Sequence, residues 1–158
     1  MADIKSKYGA SNQAVVCTIT SLASGGQRAS TAIDNTANLY LDALVFLKVK
    51  SGASGTATTG YVNVYAYGTA DGGSNYTEGA TGTDAAITLT VPPNARLIGV
   101  VNVVANATVY NAGPFSVAAA FGGLLPDHWG LIVGNQSGGA LDASVGSVWY
   151  QGVLSQAV

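Results

Sequence analysis

The sequence predicts an all-β fold, a single antiparallel β-sandwich of jelly-roll type with about eight or nine strands. Apolar residues alternate with polar ones at a period of two in several short segments, which is the strand repeat. Gly, Pro, Asn and Ser cluster between those segments, and no stretch keeps a capped helical period over about a dozen residues. With 158 residues, a chain can bury roughly 70% of the surface exposed when unfolded. One core is therefore expected, with residues 1–12 as an extended N-terminal segment and residues 13–158 as the sandwich.

Strand candidates fall at residues 14–20 and 28–34, each rich in β-branched residues. Residues 39–50 follow, with Leu39, Leu41, Ala43, Val45, Leu47 and Val49 on one face. The other face carries Tyr40, Asp42, Leu44, Phe46, Lys48 and Lys50 and turns apolar only in its middle. That pattern suits a central strand whose outer face meets another element or another subunit. Residues 61–67 send Val62, Val64 and Ala66 one way and Tyr61, Asn63, Tyr65 and Tyr67 the other. Further candidates are 86–90, 96–104, 114–121, 131–135 and 147–154. Gly-rich turns at 24–26, 51–55, 70–73 and 137–139 and the Pro92-Pro93-Asn94 bend separate them. The longest loop, 71–84, is a candidate contact surface, because long loops in compact domains tend to be functional.

Charged residues are 9% of the chain, against an ordinary share of about 25%. Polarity comes instead from Ser, Thr, Asn, Gln and Gly. The strongest apolar stretches, 39–50 and 97–105, are interrupted by Asp42, Lys48 and Asn102 and fall short of the about 20 apolar residues a spanning helix needs. No membrane partner is expected. Residues 1–7 show no apolar core after their lysines, so no cleaved secretory signal is expected, and synthesis in a cytoplasm is. A formal net charge of −2 with scattered basic residues argues against nucleic acid as partner. A subunit held in a regular assembly has less need of the charge that keeps a free monomer apart from its neighbours.

Cys17 is the only cysteine, which excludes an internal disulfide framework and a multi-cysteine zinc site; it reads as a buried small hydrophobe. His128, the only histidine, stands in Leu125-Pro126-Asp127-His128-Trp129-Gly130 and reads as a turn residue bonded to its neighbours. Asp71, Asn75 and Glu78 offer oxygen ligands, but their spacing matches no EF-hand loop. Sequons at Asn75, Asn106 and Asn135 are expected by chance in so Asn-, Ser- and Thr-rich a chain. No catalytic residue, cofactor or metal is expected, and the protein is read as a binding or assembly protein. The tyrosines Tyr61, Tyr65 and Tyr67 have three readings: packing beneath a second layer, anchoring a protein interface, or stacking on sugar.

The segments Thr59-Gly60-Tyr61-Val62-Asn63-Val64-Tyr65-Ala66-Tyr67-Gly68-Thr69, Leu124-Leu125-Pro126-Asp127-His128-Trp129-Gly130-Leu131-Ile132-Val133 and Val148-Trp149-Tyr150-Gln151-Gly152-Val153 together resemble small virion proteins of tailed bacteriophages. The resemblance implies a capsid decoration, or cement, protein: a β-sandwich on the outside of the head shell, made in the host cytoplasm. Its implied partners are the major capsid protein of a tailed phage and itself, as a homodimer or homotrimer. A protein that binds only the assembled lattice stabilises it by mass action. The resemblance transfers no active-site residue. On physical grounds the expected interface residues are Tyr61, Tyr65 and Tyr67, then Asp71, Asn75, Tyr76 and Glu78 in the long loop, and Ile4 and Tyr8 in the N-terminal segment. The alternative is a sugar-binding sandwich, lectin-like or part of a tail fibre; a small hydrolase using His128 ranks far below both.

Overall fold

A computed structural model describes residues 3–157; residues 1, 2 and 158, at the ends of the expected segment 1–12 and domain 13–158, lie outside the described residues. The strands are β1 (Ile4–Tyr8), β2 (Gln13–Val15), β3 (Gln27–Ala29), β4 (Ile33–Asp34), β5 (Asp42–Ser51), β6 (Tyr61–Thr69), β7 (Ala85–Ala86), β8 (Arg96–Asn102), β9 (Val109–Ser116), β10 (His128–Gln136) and β11 (Leu141–Ala157). Only two short 3-10 turns, Thr77–Gly79 and Ala118–Phe121, interrupt this all-β pattern among the described residues.

Two antiparallel sheets form the sandwich. Sheet A runs β1-β11-β5-β9, with β2 beside β11, and sheet B runs β7-β3-β10-β6-β8, with β4 beside β10. When β1 is joined to β2 and β3 to β4 as single broken strands, each sheet interleaves strands from the early and late chain. That is the jelly-roll winding. The breaks explain why eleven strands stand where the sequence suggests about eight or nine.

Within β5 and β6 the residues forecast to face inward do so. Ala43, Val45, Leu47 and Val49 of β5, and Val62, Val64 and Ala66 of β6, are buried between the sheets. They meet Trp129, Leu131 and Val133 of β10 and Val148 and Tyr150 of β11. Trp129 stands edge-on to Tyr150 at 5.2 Å, a favoured aromatic geometry. Leu39 and Leu41 depart from the expected face. The strand begins only at Asp42, Leu39 has a left-handed φ of 53°, and both leucines are exposed. Likewise the expected strand at 114–121 is the end of β9 followed by the 3-10 turn Ala118–Phe121, because the Asp42 carboxylate accepts hydrogen bonds from Ser116 Oγ and Ala118 N and bends the chain there.

The two ends of the sandwich differ. Loops 52–60, 103–108 and 137–140 knit together at one end through backbone hydrogen bonds, among them Gly52 N to Ala140 O and Ala57 N to Ser137 O. At the other end lie loops 35–41, 70–95 and 117–127, joined by Asn35 N to Asp127 O and Leu125 N to Leu41 O. β11 outruns its partner here: β5 pairs it only as far as Val153, and beyond that β1 alone accompanies it, with Lys5 opposite Gln156 and Lys7 opposite Leu154. Within the expected extended N-terminal segment, Ile4–Tyr8 is thus one strand of a two-stranded arm.

Candidate protein interface

A sandwich has two outer faces, and this chain treats them oppositely. Over sheet B, residues 70–95 fold back as a cover. Tyr67, Ile132 and Ala29 of the sheet form a second buried cluster with Ala80 and Ala95 of the cover, joined by Tyr65 from the sheet and by Tyr76, Ile87 and Leu89 from the cover. The Tyr67 ring lies across Gly130, where an added Cβ would come within 2.3 Å of it, so only glycine fits that position. Tyr67 Oη donates to Ser30 O at 2.6 Å, and Tyr76 packs edge-on to Tyr67 at 5.4 Å. Burial, opposed by the bond to Ser30, pushes the Tyr67 phenol well above its ordinary pKa.

Carboxylates pin the cover. Asp84 accepts from Thr18 N, from Thr18 Oγ1 and from Arg28 Nε, the last at 2.6 Å. Burial draws the Asp84 pKa up, but the bonds from Arg28 and Thr18 outweigh it and leave the carboxyl below its usual range. Glu78, at a left-handed φ of 63°, accepts from the backbone N–H groups of Thr90, Asn94 and Ala95. Burial again acts upward, and those bonds again prevail and lower the pKa. Asp71 accepts from Thr69 Oγ1, Asn75 Nδ2, Asn75 N and Ser74 N, which hold its pKa far below normal.

The structure places the expected interface residues differently from one another. Tyr67 is fully buried within its own chain, Tyr65 and Tyr76 are half-buried around it, and only Tyr61, at the start of β6, remains 39% exposed. Of the three readings of these tyrosines, the geometry matches packing beneath a second layer. Asp71, Asn75 and Glu78 bond to the loop's own backbone and side chains. Ile4 and Tyr8 remain open, 77% and 63% exposed on the arm.

Sheet A has no such cover: among the described residues no hydrophobic cluster forms on its outer face. In the middle of that face Phe46 of β5 and Trp149 of β11 are opposite each other in register and stack at 6.0 Å with rings 9° from parallel. Leu44 and Gln151 are the next pair on the same face, then Asp42 and Val153, with Tyr8 beside Val153 and Ile4 beside Ala157. The result is an apolar patch about the aromatic stack, bordered by Lys48 and Ser147 on one side and broken toward the arm by Gln151, Asp42 and the Ser6–Ser155 pair. Sequence reasoning finds Leu44 and Phe46 and misses Trp149, because the pairing register that brings Trp149 to Phe46 is not written in either strand.

Among the described residues the remaining polar groups form no convergent metal-ligand cluster of three His, Cys, Asp or Glu side chains. His128 begins β10 with Nε2 3.8 Å from Asp34 Oδ1 and Nδ1 3.6 Å from Asp127 Oδ1, both longer than hydrogen bonds. Cys17 is half-buried, and its thiol pKa is pushed up to about 12, chiefly by desolvation and then by Asp84. Comparison of the sequence with protein-family models and with curated proteins finds no match.

Proposed function

We propose that this protein is a non-enzymatic virion structural protein of the capsid decoration type, which coats the outside of a tailed-phage head shell and acts with other copies of itself. The observation that carries this reading is the uncovered outer face of sheet A. In a chain of so little charge, a half-buried aromatic stack with Leu44 and Val153 as aliphatic neighbours stands on the outer face of the sheet, and Lys48 and Asp42 border it. Aromatic enrichment with charge depletion is the composition of interface centres. The occupant is the shell protein, whose lattice presents the same surface many times, so that modest affinity per site accumulates around the particle. The sequence resemblance to phage virion proteins supports the same partner.

The test is quantitative mass spectrometry of density-purified particles from the source of this gene, comparing this chain with the main shell protein. A small whole-number ratio is expected. A handful of copies would assign the protein to a tail or fibre instead. Its absence would sink the virion reading and move the sugar-binding sandwich, tested by a glycan screen, to the front.

A further inference from the structure

The end of the sandwich that carries the arm also carries surface of the opposite character. Leu39, Leu41 and Leu124 are 72%, 42% and 64% exposed there. Beside them Phe121, Leu124, Leu125 and Pro126 line a groove of about 360 Å³ whose far wall is the backbone around Thr69 and Ala70. Asp71 and Asp127 continue directly from those two walls, and Asp34 stands near Asp127 across His128. The site is an apolar trough with an acidic border.

The arm is its chemical complement. Period-two alternation puts Ile4, Ser6 and Tyr8 on one face of β1 and Lys5 and Lys7 on the other, and all five residues are exposed. Among the described residues neither lysine lies within ion-pairing distance of a carboxylate. β1 is also an edge strand, with one side of its backbone unpaired by the sheet. Direct antiparallel pairing of two such edges about Ser6 would set Lys5 against Lys7 of the second copy twice over, and facing like charges oppose it. The lysines therefore direct the arm away from another arm and toward an acidic surface.

We propose that the β1–β11 arm of one copy seats, free edge of β1 inward, in the groove beside Leu124 of a second copy, so that its Ile4 face meets the apolar wall and its opposite face sets Lys5 and Lys7 against Asp34, Asp71 and Asp127. Arm and groove occupy the same end of one molecule. Two copies meeting end to end about a two-fold axis can thus make the contact reciprocally, which closes the assembly instead of propagating it. This inference rests on the self-association in the proposed function and names the surface that performs it.

Sedimentation equilibrium of the full-length chain tests it. The wild type is expected to dimerise, more weakly as salt rises because the lysine and aspartate contacts are screened. K5E/K7E and, separately, L124D should each weaken dimerisation by about tenfold or more. Mixing the two variants should recover part of the association, since the wild-type arm of one meets the wild-type groove of the other. Lys5, Lys7 and Leu124 are exposed, so unchanged thermal unfolding will show that the variants remain folded. A wild type that stays monomeric at low salt, or a dimer indifferent to both variants, overturns the inference. A chain that dimerises in this way yet does not coat shells leaves it standing and removes the decoration reading; a monomer that coats shells does the reverse.

Discussion

The covered outer face of sheet B and the bare outer face of sheet A begin from similar material. Each has aromatic side chains on central strands: Tyr65 and Tyr67 on β6, Phe46 on β5 and Trp149 on β11. On sheet B the chain devotes residues 70–95 to closing the face, with Asp84 and Glu78 as fasteners. On sheet A no buried cluster forms over the stack among the described residues. The connection between β5 and β6 stays at residues 52–60, a tight loop at the far end. Aromatic residues on an outer face thus have two meanings, and what separates them is whether a segment of the same chain is long enough, and polar enough in the right places, to close over them.

That contrast is broken most severely at Tyr67. Truncation to alanine removes a fully buried aromatic side chain and leaves the Ser30 carbonyl without its donor. Urea unfolding should show a loss of about 3–5 kcal/mol, in the range of buried aromatic truncations. Tyr67→Phe keeps the ring and loses only the hydrogen bond, for about 1 kcal/mol. If alanine at position 67 costs no more than phenylalanine, the cover is not a packed layer.

A smaller effect is expected at the fastener Asp84. Asp84→Asn weakens the charge-assisted bonds to Arg28 and Thr18, for about 1–3 kcal/mol. Amide exchange should quicken in residues 70–95 and not in β5 or β11. The pH dependence has a definite sign. Asp84 and Glu78 have folded-state pKa values below their unfolded ones, so their contribution is fully present above the unfolded carboxylate range of about pH 4 and is lost as acid takes the solution through the lower folded values. Wild type should therefore lose stability on acidification below about pH 4, and Asp84→Asn should lose less over the same interval. An equal acid response in the two proteins would mean that the Asp84 contacts do not fasten the cover.

Much of this architecture was legible in the sequence. Alternation in 61–67 and in the second half of 39–50 sorted inward from outward residues correctly, because period two is a local property of a strand. Strand ends were less legible. Leu39 and Leu41 fit the alternation, yet Asn35, whose side chain bonds to both Tyr40 N and Tyr40 O, holds the chain in a turn there. What covers an outer face was not legible at all, since it depends on contacts such as Arg28 with Asp84, which are far apart in the chain. Tyr67 and Trp149 were therefore indistinguishable in kind, and of the readings the sequence leaves open for Tyr67 the structure matches packing beneath a second layer.

The smallest effect on stability, and the most informative, is expected on the bare face. Phe46 and Trp149 gain from each other no more than a stacked pair offers, about 0.5–1.5 kcal/mol beyond their area, and both are half-buried, with no buried cluster over them among the described residues. Replacing Trp149 with serine should therefore cost far less in urea unfolding than Tyr67→Ala. If the face is a docking surface, the energy withheld from folding is available to a partner, and aromatic residues at an interface centre carry a large share of binding. Trp149→Ser should then weaken attachment to head shells in a particle co-sedimentation assay by about tenfold or more, while Tyr67→Phe leaves it unchanged. The two measurements move in opposite order along the same pair of positions. A Trp149→Ser protein that is nearly as stable as wild type and coats shells equally well would show that the bare face is only bare, and shell attachment would have to be sought elsewhere on the sandwich.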